Sequence, residues 1–268
     1  MLATFALSSS AAKRLIAMGV CALPEINQAL KRGRIIIAGG TTNAYIVEEM
    51  GFGSFENKAL YTAGIITNGR PCITPANQRI SPICIDKGQK VNLPWEEFLQ
   101  GFGQDDVFIK GANAIDGSGK AGILMGNPSG GTIGTALGIL TARGAHLVVP
   151  VGHEKMIPSC EVAARTIGIF KIDESLGMRT GFMMLPYGQI VTEIQALETL
   201  YQVKASVIAA GGVGGMEGSV MLAVDGSSEK VKEIMSLVKK LMKEKPISGA
   251  RSTCKECPLP CSFGASGA

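Results

Sequence analysis

Short β-branched runs that stop at glycine-rich turns and restart as helices recur along this chain. That alternation limits the folds open to it. Arg34 to Ala38 runs into Gly39-Gly40-Thr41-Thr42-Asn43 and then a helical stretch through Met50. Asp106 to Lys110 ends in Gly111-Ala112-Asn113-Ala114-Ile115-Asp116-Gly117. A helix over Thr132 to Arg143 then leads into an apolar strand from His146 to Val151. Strand and helix in repeated succession form a parallel sheet covered by helices on both faces. Ligands of such sheets sit beyond the carboxyl ends of the strands, which is where these glycines fall.

The expected fold is therefore α/β, with a Rossmann-like, mostly parallel sheet over residues 1–177. Further strands are expected over Ala59 to Thr67 and Ile80 to Ile85, and helices over Ser10 to Leu30 and Trp95 to Phe102. The rhythm changes after Gly177: strand (Met178 to Leu185), helix (Thr192 to Tyr201), two strands (Ala205 to Ala210, Ser219 to Val224) and a helix (Glu229 to Lys245). That order predicts a smaller ferredoxin-like α+β lobe over residues 178–247. Residues 248–268 read as a cysteine-containing tail.

A chain of 268 residues, 46% hydrophobic and 18% charged, can bury a sizeable core. No apolar run reaches the ~18 residues of a membrane helix, and Ser8, Ser9, Ser10, Lys13 and Arg14 interrupt the start. A cytoplasmic protein without a membrane partner is expected. Much of the net charge of +4 comes from lysines between Glu229 and Lys245. They flank an apolar stripe of Val231, Ile234, Leu237, Val238 and Leu241 without stacking aromatics, as on a solvated helix face; this argues against nucleic acid.

Seven cysteines, an odd number, argue for free thiols rather than a disulfide framework. Cys254, Cys257 and Cys261 have the spacing of ligands to zinc or an iron–sulfur cluster, with a fourth ligand to come from elsewhere. Idle or redox-active thiols are the alternative, and no other cofactor is required.

The turn at Gly39, Gly40, Thr41, Thr42 and Asn43 opens a helix, whose first amides and positive dipole end suit an anion. Ser129, Gly130, Gly131 and Thr132 form a second such helix start, without the Gly-Lys-Ser/Thr of a Walker loop. Asp116, at the tip of a buried strand, is the candidate general base, with Lys110 as its electrostatic aid. Of the two histidines, His146 is read as structural and His153, at a strand end, as the acid–base candidate. Arg70 is a candidate charge partner for the ligand. Gly211-Gly212-Val213-Gly214-Gly215 is read as a hairpin loop that could close over it.

The segments Gly39 to Glu49 and Asp106 to Asp116, followed by Gly144 to Val151, resemble a superfamily. Its members include ribose-5-phosphate isomerase, glucosamine-6-phosphate deaminase, the CoA transferases and the initiation-factor-2B-like sugar-phosphate isomerases. The resemblance implies that Thr41 and Thr42 hold phosphate and that Asp116 is the second acidic position of the later turn. The first acidic position is Asn113 here, an amide that takes up no proton at neutral pH. A lysine followed by four glycines, as in ribose-5-phosphate isomerase, and a CoA-transferase-type glutamate are not found. The ligand expected is a small phosphate ester or CoA-type metabolite, and the protein a homo-oligomer. Aldose–ketose isomerisation is the reaction implied, with a non-catalytic metabolite sensor as the alternative.

Overall fold

Ile35, Ile36 and Ile37 are all fully buried, yet they belong to two different cores. Successive side chains of a strand point to opposite faces, so a run without polar alternation marks a strand covered on both sides. In the computed structural model, which describes residues 1–255, 257, 259 and 261–263, this run is β2 (Arg34–Ile37). Ile35 and Ile37 pack with Val107, Ile109 and Val148 beneath Ile16, Val20, Ile26, Tyr45 and Ile46. Ile36 faces the other way, with Phe108, Leu147 and Val149 under Phe98, Leu99, Ile133 and Leu140. Each such side chain contributes roughly 1.5–3 kcal/mol by burial.

Before β2 come β1 (Leu2–Leu7), α1 (Ser9–Cys21) and α2 (Pro24–Arg32). After it come α3 (Thr41–Glu49), β3 (Gly64–Thr67), β4 (Arg70–Ile73), β5 (Ile83–Asp86), β6 (Gln89–Val91) and α4 (Trp95–Leu99). The middle of the chain supplies β7 (Val107–Ile109), β8 (Ala114–Ile115), β9 (Ala121–Met125), α5 (Gly131–Arg143), β10 (His146–Pro150) and α6 (Cys160–Thr166). It ends with β11 (Gly181–Met184), β12 (Gln189–Val191), α7 (Glu193–Tyr201), β13 (Lys204–Gly211), β14 (Ser219–Asp225) and α8 (Ser228–Leu241).

The main sheet has six strands in the order β12-β10-β7-β2-β5-β6. The first four run parallel, whereas β5 runs antiparallel beside β2 and β6 antiparallel beside β5. The protein is thus mixed α/β with a mixed sheet, rather than mostly parallel throughout. β8, β9 and β11 form a small antiparallel sheet, and β3 pairs with β4.

Two expectations about the strands require correction. The strand expected from Met178 to Leu185 to begin the ferredoxin-like lobe is β11, and it pairs with β9 instead. Its place is taken from the other end of the chain: β1 pairs antiparallel with β14, giving a three-stranded sheet β1-β14-β13. The segment expected as a strand from Ala59 begins as a 3-10 turn, Lys58–Tyr61, and extends only from Gly64.

Helix α1 lies between the two larger sheets. Ile16, Ala17 and Val20 join the core of the six-stranded sheet, and Ala11, Ala12 and Leu15 join that of the three-stranded one. Its small residues permit this double burial. A Cβ on Gly19 would stand 2.5 Å from Cβ of Ala196, so α1 and α7 touch nearly backbone to side chain. On α8, Val231, Ile234, Val238 and Leu241 are buried while Lys232, Lys239 and Lys240 are exposed, as the stripe requires.

Candidate functional site

The parallel strands β2, β7, β10 and β12 all end at one edge, and each is followed by a turn carrying polar residues. After β2 comes Gly39 to Asn43. Asn43 is fully buried; its Nδ2 donates to the carbonyls of Ala38 at 2.7 Å and Ile109 at 3.2 Å. It thereby ties the end of β2 to the end of β7 and serves the scaffold. The amide of Gly40 donates to Tyr61 O at 2.6 Å, so the 59–62 turn covers part of this corner. α3 has no side-chain cap, and among the described residues the amides of Thr41 and Thr42 have no acceptor. Thr41 is half-buried; Thr42 is 3% exposed and its Oγ1 has no partner among the described residues.

After β7, Lys110 is half-buried and its Nζ donates to Gly111 O at 3.0 Å. Burial, aided by the nearby charge of Lys155, brings its ammonium down to about 8. After β10, the turn His153-Glu154-Lys155 places three ionisable side chains together. Lys155 Nζ donates to Ala112 O at 2.8 Å, one carbonyl along from the partner of Lys110. Its ammonium is lowered by burial, against the opposing pull of Glu154.

Glu154 pairs with Lys13 of α1, Nζ to Oε1 2.8 Å, both largely shielded from solvent. Burial opposes its charge, but Lys13 and Lys155 more than offset this and its carboxyl lies below the usual range. Its second oxygen, Oε2, is buried and has no partner among the described residues. After β12, Thr192 caps α7, and Glu193, in the first turn, has no exposed surface. Its Oε2 lies 2.7 Å from His153 Nδ1 and also accepts the His153 amide at 3.1 Å. A carboxylate only accepts, so Nδ1 is the donor in this pair and Nε2 points away from Glu193. Gly152 makes room for both acids: a Cβ there would stand 1.8 Å from Glu154 Oε2 and 2.8 Å from Glu193 Oε1.

No known protein family, curated protein or solved structure matches this chain. The chemistry must be read from the side chains themselves.

The remaining sequence candidates divide three ways. Asp116 is 5% exposed, and its carboxylate is already in use. Oδ1 accepts Ser118 N (3.0 Å), Ser118 Oγ (2.6 Å) and Lys120 N (3.1 Å), and Oδ2 accepts Cys160 N (2.9 Å). These bonds, the Ser118 hydroxyl first, hold its carboxyl far below the usual range. Such a group is a poor general base, and its geometry assigns it to closing the 116–120 turn and anchoring the start of α6. Asn113 serves the neighbouring hairpin, where its Oδ1 accepts Leu124 N at 3.0 Å.

Ser129, Gly130, Gly131 and Thr132 do begin a helix at the same edge. Gly130 is left-handed (φ 86°), and Asn127 Oδ1 accepts Ser129 N at 2.8 Å. α5, however, packs in the core on the opposite face of the sheet from α3. The two helix starts flank the edge from opposite layers. Arg70 is not at this edge: its guanidinium stacks on Phe263, 3.8 Å from the ring centroid, beside the cysteine tail. His146, read as structural, is exposed at the far end of β10.

Sequence reasoning missed Lys13 and Glu193. A signal for Lys13 existed, since a lysine within Ser10-Ala11-Ala12-Lys13 to Leu15-Ile16-Ala17 breaks an apolar helix. The glycine-rich turn between β13 and β14 also reaches this cluster, with Gly218 packed against Glu154 and Ser9. A cavity of about 420 Å³ lies at the opposite edge of the sheet among Arg32, Arg34, Asp86, Lys87 and Asp105.

Proposed function

We propose that this Rossmann-like protein is an enzyme that binds a small phosphorylated or CoA-type metabolite at the carboxyl edge of β2, β7, β10 and β12. Aldose–ketose isomerisation is its best-supported reaction. The observation that carries the reading is an excess of shielded positive charge: Lys13, buried, and Lys110 and Lys155, half-buried, stand against Glu154 and Glu193, and Glu193 is already engaged by His153. A buried cation without a counter-charge sheds its proton or recruits an anion. Lys110 and Lys155 each spend a donor on neighbouring carbonyls, Gly111 O and Ala112 O, and an ammonium has three. Their remaining donors suit a phosphate bridging the pair, with the Thr41 amide at the start of α3 as a further donor.

His153, oriented by Glu193, is the acid–base group in this scheme, its Nε2 moving a proton between adjacent carbons of a bound sugar. The two ammonium groups stabilise the negative charge that develops on the substrate oxygens. Displacement of the 212–218 turn from Glu154 gives the ligand access. A cytoplasmic homo-oligomer completes the proposal. It is supported by the exposed apolar residues Leu2, Ile208 and Met221 on the small sheet, and among the described residues no helix is long and apolar enough to cross a membrane.

The test is thermal denaturation with inorganic phosphate, sugar phosphates, nucleotides and CoA. A ligand at 100 times its Kd adds about 2.7 kcal/mol of stability. Lys110→Met should abolish the rise in Tm while Asp116→Asn keeps it; no rise with any of these ligands sinks the reading. The engagement of Asp116 favours a second reading, a metabolite sensor without turnover. Deuterium exchange from solvent into the bound sugar phosphate separates the two, because a sensor catalyses none.

A further inference from the structure

The tail returns to the hairpin of β3 and β4. Ser252 N donates to Ile73 O at 2.9 Å, and Ser262 N and Oγ donate to Ser175 O at 3.2 and 3.0 Å. Gly249 packs so close to the hairpin that a Cβ would stand 2.0 Å from Thr67 Oγ1. This return brings Cys72 of β4 into the wall of one cavity with Cys254, Cys257 and Cys261. The three tail thiols are one ligand short of a tetrahedral set, and Cys72, far away in sequence, adds a fourth thiol to the same wall.

We propose that Cys72, Cys254, Cys257 and Cys261 form a four-thiolate site for a single zinc ion, which fastens the tail across β4. The cavity, about 20 Å³, suits one ion. Room for a single water-sized occupant needs roughly 10–15 Å³. Two cations attend one of the sulfurs: Arg251 Nη1 lies 3.8 Å and Arg70 Nη1 4.0 Å from Cys254 Sγ. On binding, each thiol releases its proton to solvent as its sulfur–metal bond forms, leaving a complex of charge −2 that the two guanidiniums balance. Among the described residues no three Cys, His, Asp or Glu side chains already stand in metal-holding geometry. The final closure of the sulfurs is thus coupled to the ion, as folding commonly is at structural zinc sites. The proposal is independent of what the strand-edge site binds.

The full chain, purified without a polyhistidine tag, is assayed for metals, then stripped under reducing conditions and titrated with Zn(II) and Co(II). Expected are one zinc per chain and a cobalt spectrum with the sulfur-to-metal charge transfer of four thiolates. Cys72→Ser and Cys261→Ser should each lower zinc affinity by at least about 10-fold, since even a lost outer partner costs 10–100-fold; Cys21→Ser should match wild type. In the unaltered protein, zinc should shield Cys72 and the three tail cysteines together from alkylation, and Lys255 from trypsin. That measurement needs no variant to fold. Cys72 alkylated as fast with zinc as without, unchanged affinity in Cys72→Ser, failure of the reduced chain to bind zinc, or iron with acid-labile sulfide in its place would each overturn the proposal.

Discussion

Oε2 of Glu193 lies 2.7 Å from Nδ1 of His153, joining the first turn of α7 to the turn after β10. The carboxylate has no exposed surface, and its contact with His153 sets both the tautomer and the direction of the ring. Glu193→Gln preserves the shape but removes the charge that stabilises an imidazolium. Turnover should fall by roughly 10²–10⁴ while the ligand-induced rise in Tm persists. Steady-state kinetics beside thermal denaturation check this; a parallel loss of binding would make Glu193 structural.

Lys13 and Glu154 are 2.8 Å apart and largely shielded from water. Removing one partner strands the other, so Lys13→Met should cost about 3–5 kcal/mol in urea unfolding. Lys13→Met with Glu154→Gln should recover part of that loss, and strict additivity of the two changes would show that the pair is not coupled.

Asp116 accepts four hydrogen bonds, so its carboxyl lies well below its unfolded value. Its contribution to stability is complete above about pH 4 and declines as pH falls toward the folded value. Asp116→Asn should cost about 1–3 kcal/mol at neutral pH and flatten the acid side of the stability curve, with turnover retained. Loss of turnover in a folded Asp116→Asn would restore this residue as the base.

Lys110 acts in the same sense but at higher pH, and through a charge that burial disfavours rather than one that hydrogen bonds hold. Its ammonium is held at about 8, below the usual lysine value of about 10.4. Between these values the unfolded chain binds more protons, so the stability of the ligand-free protein should rise with pH. Lys155, also lowered, adds to the same trend. Phosphate binding should run the other way and weaken as pH passes about 8. Melting curves across that window, with and without phosphate, should show both trends, and Lys110→Met should reduce each.

Much of the framework was legible in the residues. The run Ile35-Ile36-Ile37 announced a strand covered on both faces, and the apolar stripe of α8 announced its buried side. The glycine-rich turns after β2 and β7 do lie at the carboxyl edge. The role of Asp116 was not legible, because an Asp-Gly pair looks the same whether its carboxylate is free or closes a turn. Here the amides of Ser118, Lys120 and Cys160 decide it. Arg70 was misplaced because nothing near it in the chain announces Phe263 or the tail.

Sequence alone placed the main core strands and the longer helices, since a side chain's period of burial and a helix's first residues are local properties; the short strand Leu2–Leu7 and the helix Cys160–Thr166 escaped it. Only the tertiary structure decided which strands are neighbours: Leu2–Leu7 beside Ser219–Asp225, and Gly181–Met184 beside Ala121–Met125. It alone also joined Lys13 to Glu154, and Cys72 to the tail. The choice among apolar partners of equal period depends on how the whole core fills its volume, and no short stretch of chain encodes that.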